Sequence, residues 1–220
     1  KTTTLATAAL GLAPAAQSSA HAATARDVIG YVRRMLTSPG GGFYSAEDAQ
    51  SEGVEGRFYF WTPAQVATVL GDDEAALFNT AYQVLPGGNF RDEASGEKSG
   101  ASILRLPLDF DPAALAARHG ITAAELLDRL TSSRALLFDA RGTRPRPPLD
   151  DKVLTDWNGL MIAAMARAAR VLDSAEYRNA ATRAAEFVLR ELRTPDGRLL
   201  KRWRQGQAGL PAHLEDYAFL

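Results

Sequence analysis

The chain has 220 residues, 46% of them hydrophobic and 23% charged, with a formal net charge of −1 and no cysteine. This length is enough for one large domain with a substantial core, and the charge balance excludes a broad basic field for nucleic acid or anionic lipid. Disulfides, thiolate nucleophiles and cysteine zinc sites are excluded within the chain, and no apolar run approaches a membrane span.

Residues 1–24 are an Ala/Thr-rich stretch ending in Ala20-His21-Ala22. It faintly resembles a signal peptide, but Pro14, Gln17, Ser18 and Ser19 interrupt the apolar region. An irregular lead-in and a cytoplasmic location are expected. The chain opens without Met, so further upstream sequence is also expected. Val28, Ile29, Val32, Met35 and Leu36 fall at helical spacing, and Pro39-Gly40-Gly41-Gly42 stops that helix. Two short strands are predicted next, at Phe43–Ser45 and Arg57–Trp61, with an acidic loop over 46–56 between them. Thr62-Pro63-Ala64-Gln65 reads as a capping box with Pro in the first turn. It opens a short helix to Leu70, followed by a second over Glu74–Val84.

Residues 86–100 read as loop, Ser102–Leu106 as a strand and Pro112–Arg118 as a helix. A second capping box, Thr122 to Glu125, opens a helix to about Ala140 that carries Leu126, Leu127, Leu130, Leu137 and Phe138 on one face. The run Arg144-Pro145-Arg146-Pro147-Pro148 breaks it. With Arg141, these arginines read as a solvated loop that has no aromatic platform. A helical hairpin follows. Its first stripe is Trp157, Leu160, Met161, Ala164, Ala168, Val171 and Leu172. Its second is Tyr177, Ala181, Ala184, Ala185, Val188, Leu189 and Leu192, opened by an Asp173 cap. So short a link makes the two helices antiparallel. Pro195-Asp196-Gly197 is a turn, Arg198–Arg204 an extended arm, and a helix opens within His213–Leu220. Further sequence is expected beyond that point.

Three stretches carry a family likeness: Gly41–Ala49 with Ser51-Glu52-Gly53 and Phe58–Pro63; Asp150–Ile162; and Leu214–Leu220. In this order they resemble the thioredoxin-domain family related to spermatogenesis-associated protein 20. The resemblance runs from about Arg26 to the end. It implies an N-terminal thioredoxin-like domain followed by a six-hairpin (α/α) toroid similar to those of glycosidases and N-acylglucosamine 2-epimerases. The present chain would then be mainly α: residues 25–220 a partial toroid, truncated at the C-terminus, with short β-hairpins in the inter-helix loops. Gln50 stands where that family tends to have Asp, and His213 where an aromatic is usual.

Three groups of residues are candidates for chemistry. Glu47 and Asp48 lie in an acidic loop between Tyr44 and Tyr59, where they could present a general acid or base. Glycoside hydrolysis needs two carboxyl groups across the scissile bond, so a partner must come from elsewhere. Turn capping by Asp48 and pairing of Glu47 explain the same residues without a substrate. A calcium loop is rejected, because Tyr59 occupies its last ligand position. The second group is Asp151, Trp157 and Asn158. Thr155 is the expected cap, and Asp156 suits the first turn by the helix dipole alone. A Trp face and an Asn amide suit a sugar, although core packing also explains Trp157. The third group is Glu215, Asp216 and Tyr217, again at a helix opening. Catalytic roles are therefore expected of Glu47, Asp48 and Asp151, and substrate binding of Tyr44, Trp61, Trp157, Asn158, Glu215, Asp216 and Tyr217. No metal and no cofactor is expected.

Three functions follow. The first is a carbohydrate-active enzyme, hydrolase-like or 2-epimerase-like, acting through carboxylates on a sugar or sugar-like small molecule. The second is a non-catalytic binding scaffold serving an upstream thioredoxin-like domain. The third is a scaffold within a redox protein. An epimerase needs bases poised near neutral pH, usually histidine, and only His213 lies near a candidate group.

Overall fold

A computed structural model describes residues 19–91, 96 and 98–220. Most of the lead-in therefore lies outside the described residues. Its last part is helical and not irregular, because helix α1 runs Ser19–Met35. The chain forms two compact units. The first comprises the described residues up to Glu47 together with Leu149–Leu220, and the second is Asp48–Pro148.

In the first unit, α1 leads to β1 (Tyr44–Glu47). The chain returns in β4 (Leu149–Leu154), then α6 (Thr155–Val171), α7 (Ala175–Glu191), β5 (Leu200–Arg204), β6 (Gln207–Pro211) and α8 (Leu214–Phe219). The strands form an antiparallel sheet in the order β1-β4-β5-β6. Helices α6 and α7 are the predicted hairpin. Their core joins Met161, Ala164, Met165 and Ala168 to Ala180, Ala181 and Ala184, with Ile29 and Val32 of α1 packed on top. Alanine at these positions lets the backbones approach closely. Val171 and Leu189, assigned to the stripes, are instead largely exposed, while Phe187 is buried. The cap of α7 is Ser174, whose hydroxyl accepts from Tyr177 N. Asp173, the expected cap, takes the left-handed link position instead, at φ 48°.

The run Gly40-Gly41-Gly42 has a packing role beyond turning the chain. A Cβ on Gly40 would lie 2.7 Å from the Phe187 ring, and one on Gly42 2.6 Å from it. The ring occupies the space those side chains would need, and it meets Trp203 edge-on with centroids 5.1 Å apart. The arm predicted over Arg198–Arg204 is one strand of a hairpin. Its partner β6 has no strong alternation and was not predicted.

The second unit holds a small hairpin of β2 (Gln50–Ser51) and β3 (Val54–Glu55), then α2 (Pro63–Leu70), α3 (Asp72–Tyr82), α4 (Pro112–Arg118) and α5 (Ala123–Gly142). Of the loop predicted over 46–56, residues 46 and 47 belong to β1 and the β2–β3 hairpin forms most of the rest. The strands predicted at Arg57–Trp61 and Ser102–Leu106 reduce to turns and a single bridge between Trp61 and Ser102. Arg57–Trp61 is aromatic enough for a strand, but the Gly56 carbonyl accepts from Tyr59 N and Phe60 N, which closes a turn there. The Thr62 cap forms both halves of its box, with Thr62 N donating to Gln65 Oε1 at 3.0 Å. Thr122 caps α5 as predicted.

On α5 the buried face is Leu126, Leu130, Ser133 and Leu137, spaced four, three and four residues apart. Leu127 and Phe138 lie one step off that face and are 47% and 53% exposed. Truncation separates the two sets. Leu126→Ala should cost about 2–5 kcal/mol, and Leu127→Ala less than about 0.5 kcal/mol, in denaturant unfolding followed by circular dichroism. Equal losses would contradict this assignment of the face.

Candidate functional site

The first turn of α6 holds Trp157 and Asn158 and receives Asp216. The helix begins one residue before the expected point: Thr155 is its first residue and not its cap, and the Thr155 hydroxyl donates to the Leu200 carbonyl at 2.6 Å. Asn158 is buried, and its amide is wholly engaged with backbone. Its Oδ1 accepts from Phe43 N at 2.7 Å, and its Nδ2 donates to the carbonyls of Phe43 at 2.9 Å and Leu154 at 2.8 Å. It therefore ties the entrance of β1 to the end of β4.

Asp216 is fully buried. It accepts from Asp156 N at 3.0 Å and from His213 N at 2.7 Å, so one carboxylate serves the openings of both α6 and α8. Lys201 of β5 lies 2.9 Å from Asp156 and 3.4 Å from Asp216, with Glu215 at 3.9 Å. Burial alone would lower the Lys201 pKa, but its hydrogen bonds to and charge attraction from Asp156 and Asp216 outweigh this and raise it. A raised lysine pKa adds stability that is complete below the unfolded value and lost as pH rises through the folded one. Gly159 completes the turn. A Cβ there would lie 2.3 Å from the Phe219 carbonyl oxygen, so α8 can rest on α6 only because residue 159 has no side chain.

Several other candidates have their own partners. Asp151 lies where β4 carries an extra residue against β1, since Tyr44 pairs with Val153 but Ala46 with Asp150. Such bulges re-aim side chains. Asp151 accepts from Arg204 Nε at 2.5 Å and from Gln205 at 3.4 Å. The hydrogen bond from Arg204 is the main cause holding its carboxyl below the usual aspartate range. Burial and the nearby Asp151 charge push the Tyr44 hydroxyl up. Glu47 is nearly buried and accepts from the Tyr31 hydroxyl of α1 at 2.5 Å. Tyr44 and Glu47 are three residues apart on β1 and so face opposite sides of the strand. Glu47 is committed to α1, and Asp151 to the β5–β6 turn. Trp157 is half-buried. The Tyr217 hydroxyl accepts from Leu199 N at 3.0 Å while its ring is largely exposed. Glu215 is half-exposed, 3.8 Å from His213 Nδ1.

Two predicted residues belong to the second unit. Asp48 is exposed and accepts from Gln50 N at 3.0 Å, a turn-capping role. Trp61 is buried beneath the Arg144 guanidinium, 4.0 Å from its ring centroid. The structure thus brings together Asn158, Asp216 and Glu215 with Asp156 and Lys201, and, in the same unit, Asp151 with Tyr44. Sequence reasoning missed Lys201, Arg204 and Tyr31. The alternating Lys-Arg-Trp-Arg of β5 was the available signal for the first two. Among the described residues, no group of three or more His, Asp or Glu side chains is arranged to hold a metal, and no helix is long and apolar enough to cross a membrane.

No family model matches the chain. Curated proteins do. Human spermatogenesis-associated protein 20 is 34% identical over 89% of the chain, and the rat protein of that name is 32% identical over 89%. The chain is similar to spermatogenesis-associated protein 20. An uncharacterised protein of Caenorhabditis elegans is 31% identical over 88% of the chain. The chain spans only 28–29% of the length of these relatives. The likeness to spermatogenesis-associated protein 20 supplies kinship and no activity.

Two outcomes follow for the α6 turn. Asn158→Ala strands the buried amide and carbonyl of Phe43. It should cost about 2–4 kcal/mol and speed hydrogen exchange at Phe43. Lys201→Met leaves Asp156 and Asp216 without their cation and should cost about 3 kcal/mol or more at neutral pH. Wild-type stability should also fall at alkaline pH in a way the variant does not reproduce. A wild-type-like melting curve for Lys201→Met would refute the role given to this network.

Proposed function

We propose that the chain is a section of a six-hairpin (α/α) toroid of the carbohydrate-active type, and that its first unit takes a sugar or sugar-like small molecule. The observation carrying this reading is convergence. Residues 43–47, 150–158 and 200–217 are far apart in sequence, yet hydrogen bonds of Asn158, Asp216 and Arg204 tie them around the opening of α6. Convergent polar groups beside partly open aromatic faces are what a sugar pocket requires. Trp157 and Tyr217 offer such faces, and Asp151 and Glu215 offer acceptors for hydroxyl groups.

Within this reading, hydrolysis fits better than epimerisation. Arg204 keeps Asp151 ionised, which suits a nucleophile or an oxocarbenium stabiliser. It also makes Asp151 a weak base, which an epimerase could not use to remove a proton next to a carbonyl. The general acid would be Glu215 or a carboxyl group from the rest of the protein. A second reading, a non-catalytic binding scaffold attached to an upstream thioredoxin-like domain, is favoured by one observation: Asp156, Asn158 and Asp216 direct their hydrogen bonds at the protein itself.

A thermal-shift screen of the full-length protein against mono- and disaccharides tests both. A sugar at one hundred times its Kd should stabilise by about 2.7 kcal/mol. Trp157→Ala should abolish the shift. Asp151→Asn should abolish any turnover while leaving the melting temperature within a few degrees of wild type. Binding without product, unchanged in Asp151→Asn, would select the scaffold. The absence of a shift with every sugar would refute the sugar reading and leave a scaffold that binds protein.

A further inference from the structure

The arginines at the end of α5 and just after it are not the plain solvated loop that their composition implies. The Arg141 guanidinium lies 5.5 Å from the ring centroid of Phe58, 5.2 Å from that of Tyr59 and 5.3 Å from that of Phe138. Arg146 lies 4.9 Å above Phe58. Arg144 covers Trp61 and donates to the carbonyls of Phe58 at 3.0 Å and Phe60 at 2.7 Å. Burial, then the nearby Arg141 charge, pushes the Arg144 pKa down. Several cations are therefore held close together on aromatic faces. Stacking occupies the flat face of a guanidinium and leaves the direction of its N–H donors in the plane.

Beside this platform is a cavity of about 200 Å³ lined chiefly by Trp61, Tyr82, Leu104, Arg134, Phe138 and Arg141. It is smaller than the ~300–1,000 Å³ of drug-sized pockets, so its occupant is small. Its wall is aromatic and aliphatic, and among the described residues its charges are two arginines and no acid. Arg134 is exposed and makes no ion pair among the described residues.

We infer that this pocket of the second unit binds a small aromatic oxyanion, its flat ring lying against Trp61, Tyr82 and Phe138 and its carboxylate or phosphate held by Arg134 and Arg141. The two arginines supply charge-assisted donors, and the rings supply stacking area. The inference is independent of the sugar reading, because it concerns the other unit and an opposite ligand chemistry.

Ligand-observed NMR on the full chain, with benzoate and phenyl phosphate as probes, tests it. Saturable binding of at least one probe is expected, and the tighter one identifies the preferred head group. Benzyl alcohol should bind at least about tenfold more weakly, since a hydrogen bond to a charged group is worth about a factor of ten or more. Arg134→Gln should lower probe affinity by about tenfold with an unchanged melting temperature, because this side chain is exposed and makes no ion pair among the described residues. Arg141→Gln should lower it further, with some loss of stability. Several results would overturn the assignment: no saturable binding of either probe, benzyl alcohol binding as well as benzoate, inorganic phosphate competing as well as phenyl phosphate, or unchanged affinity in Arg134→Gln.

Discussion

The first unit depends on one side chain. Asn158 accepts from and donates to the same residue, Phe43, and also holds the Leu154 carbonyl. A two-way amide–backbone pair of this kind fixes both distance and orientation. It sets the chain where it leaves α1 against the point where it returns from the second unit. The β1–β4 pairing, the stacking of Gly40 and Gly42 on Phe187, and the seating of α8 against Gly159 all need that alignment. Asn158 is buried, so no water competes for these bonds, and their loss would leave polar groups without solvent.

Charge is arranged around the same turn. Asp216 caps two helix openings at once, and Lys201 compensates both Asp216 and Asp156. Helix dipoles favour anions at helix starts, but two buried carboxylates side by side would repel. The lysine from the neighbouring strand supplies the positive charge between them, 2.9 Å from Asp156 and 3.4 Å from Asp216. The carboxylates of this region thus form one electrostatic unit whose members depend on each other.

Much of this was legible in the sequence, and the reasons differ by residue. The α6–α7 hairpin, the Thr62 and Thr122 caps and the Pro112–Arg118 helix rest on local rules of periodicity and capping, which the fold leaves intact. The strand predicted at Arg57–Trp61 failed because β propensity mostly reports packing, and these aromatics pack on arginines instead of on a sheet. Leu127 and Phe138 were placed on the core face because a stripe of leucines does not reveal which edge is outermost. The roles of Asn158 and Asp216 were out of reach, since their partners lie 115 and 60 residues away. Lys201 was hidden for the same reason: its partner Asp156 is 45 residues away.

Asn, Asp and Trp at helix openings are the residue types that bind sugars, and they are also the types that bind a protein's own backbone. At α6 the second use dominates for Asn158, Asp156 and Asp216. A ligand of the first unit must therefore be met by side chains that keep open surface, namely Trp157, Tyr217, Glu215 and, in part, Asp151. The buried members then act as positioning residues, holding that partly open set in place through α6, α8 and the β5–β6 turn. Removing one of them would lower binding by disordering its neighbours, so a loss of function at Asn158 or Asp216 would not by itself mark either as a contact. Substitution at the open residues, with the fold intact, is what separates a pocket from a well-capped helix.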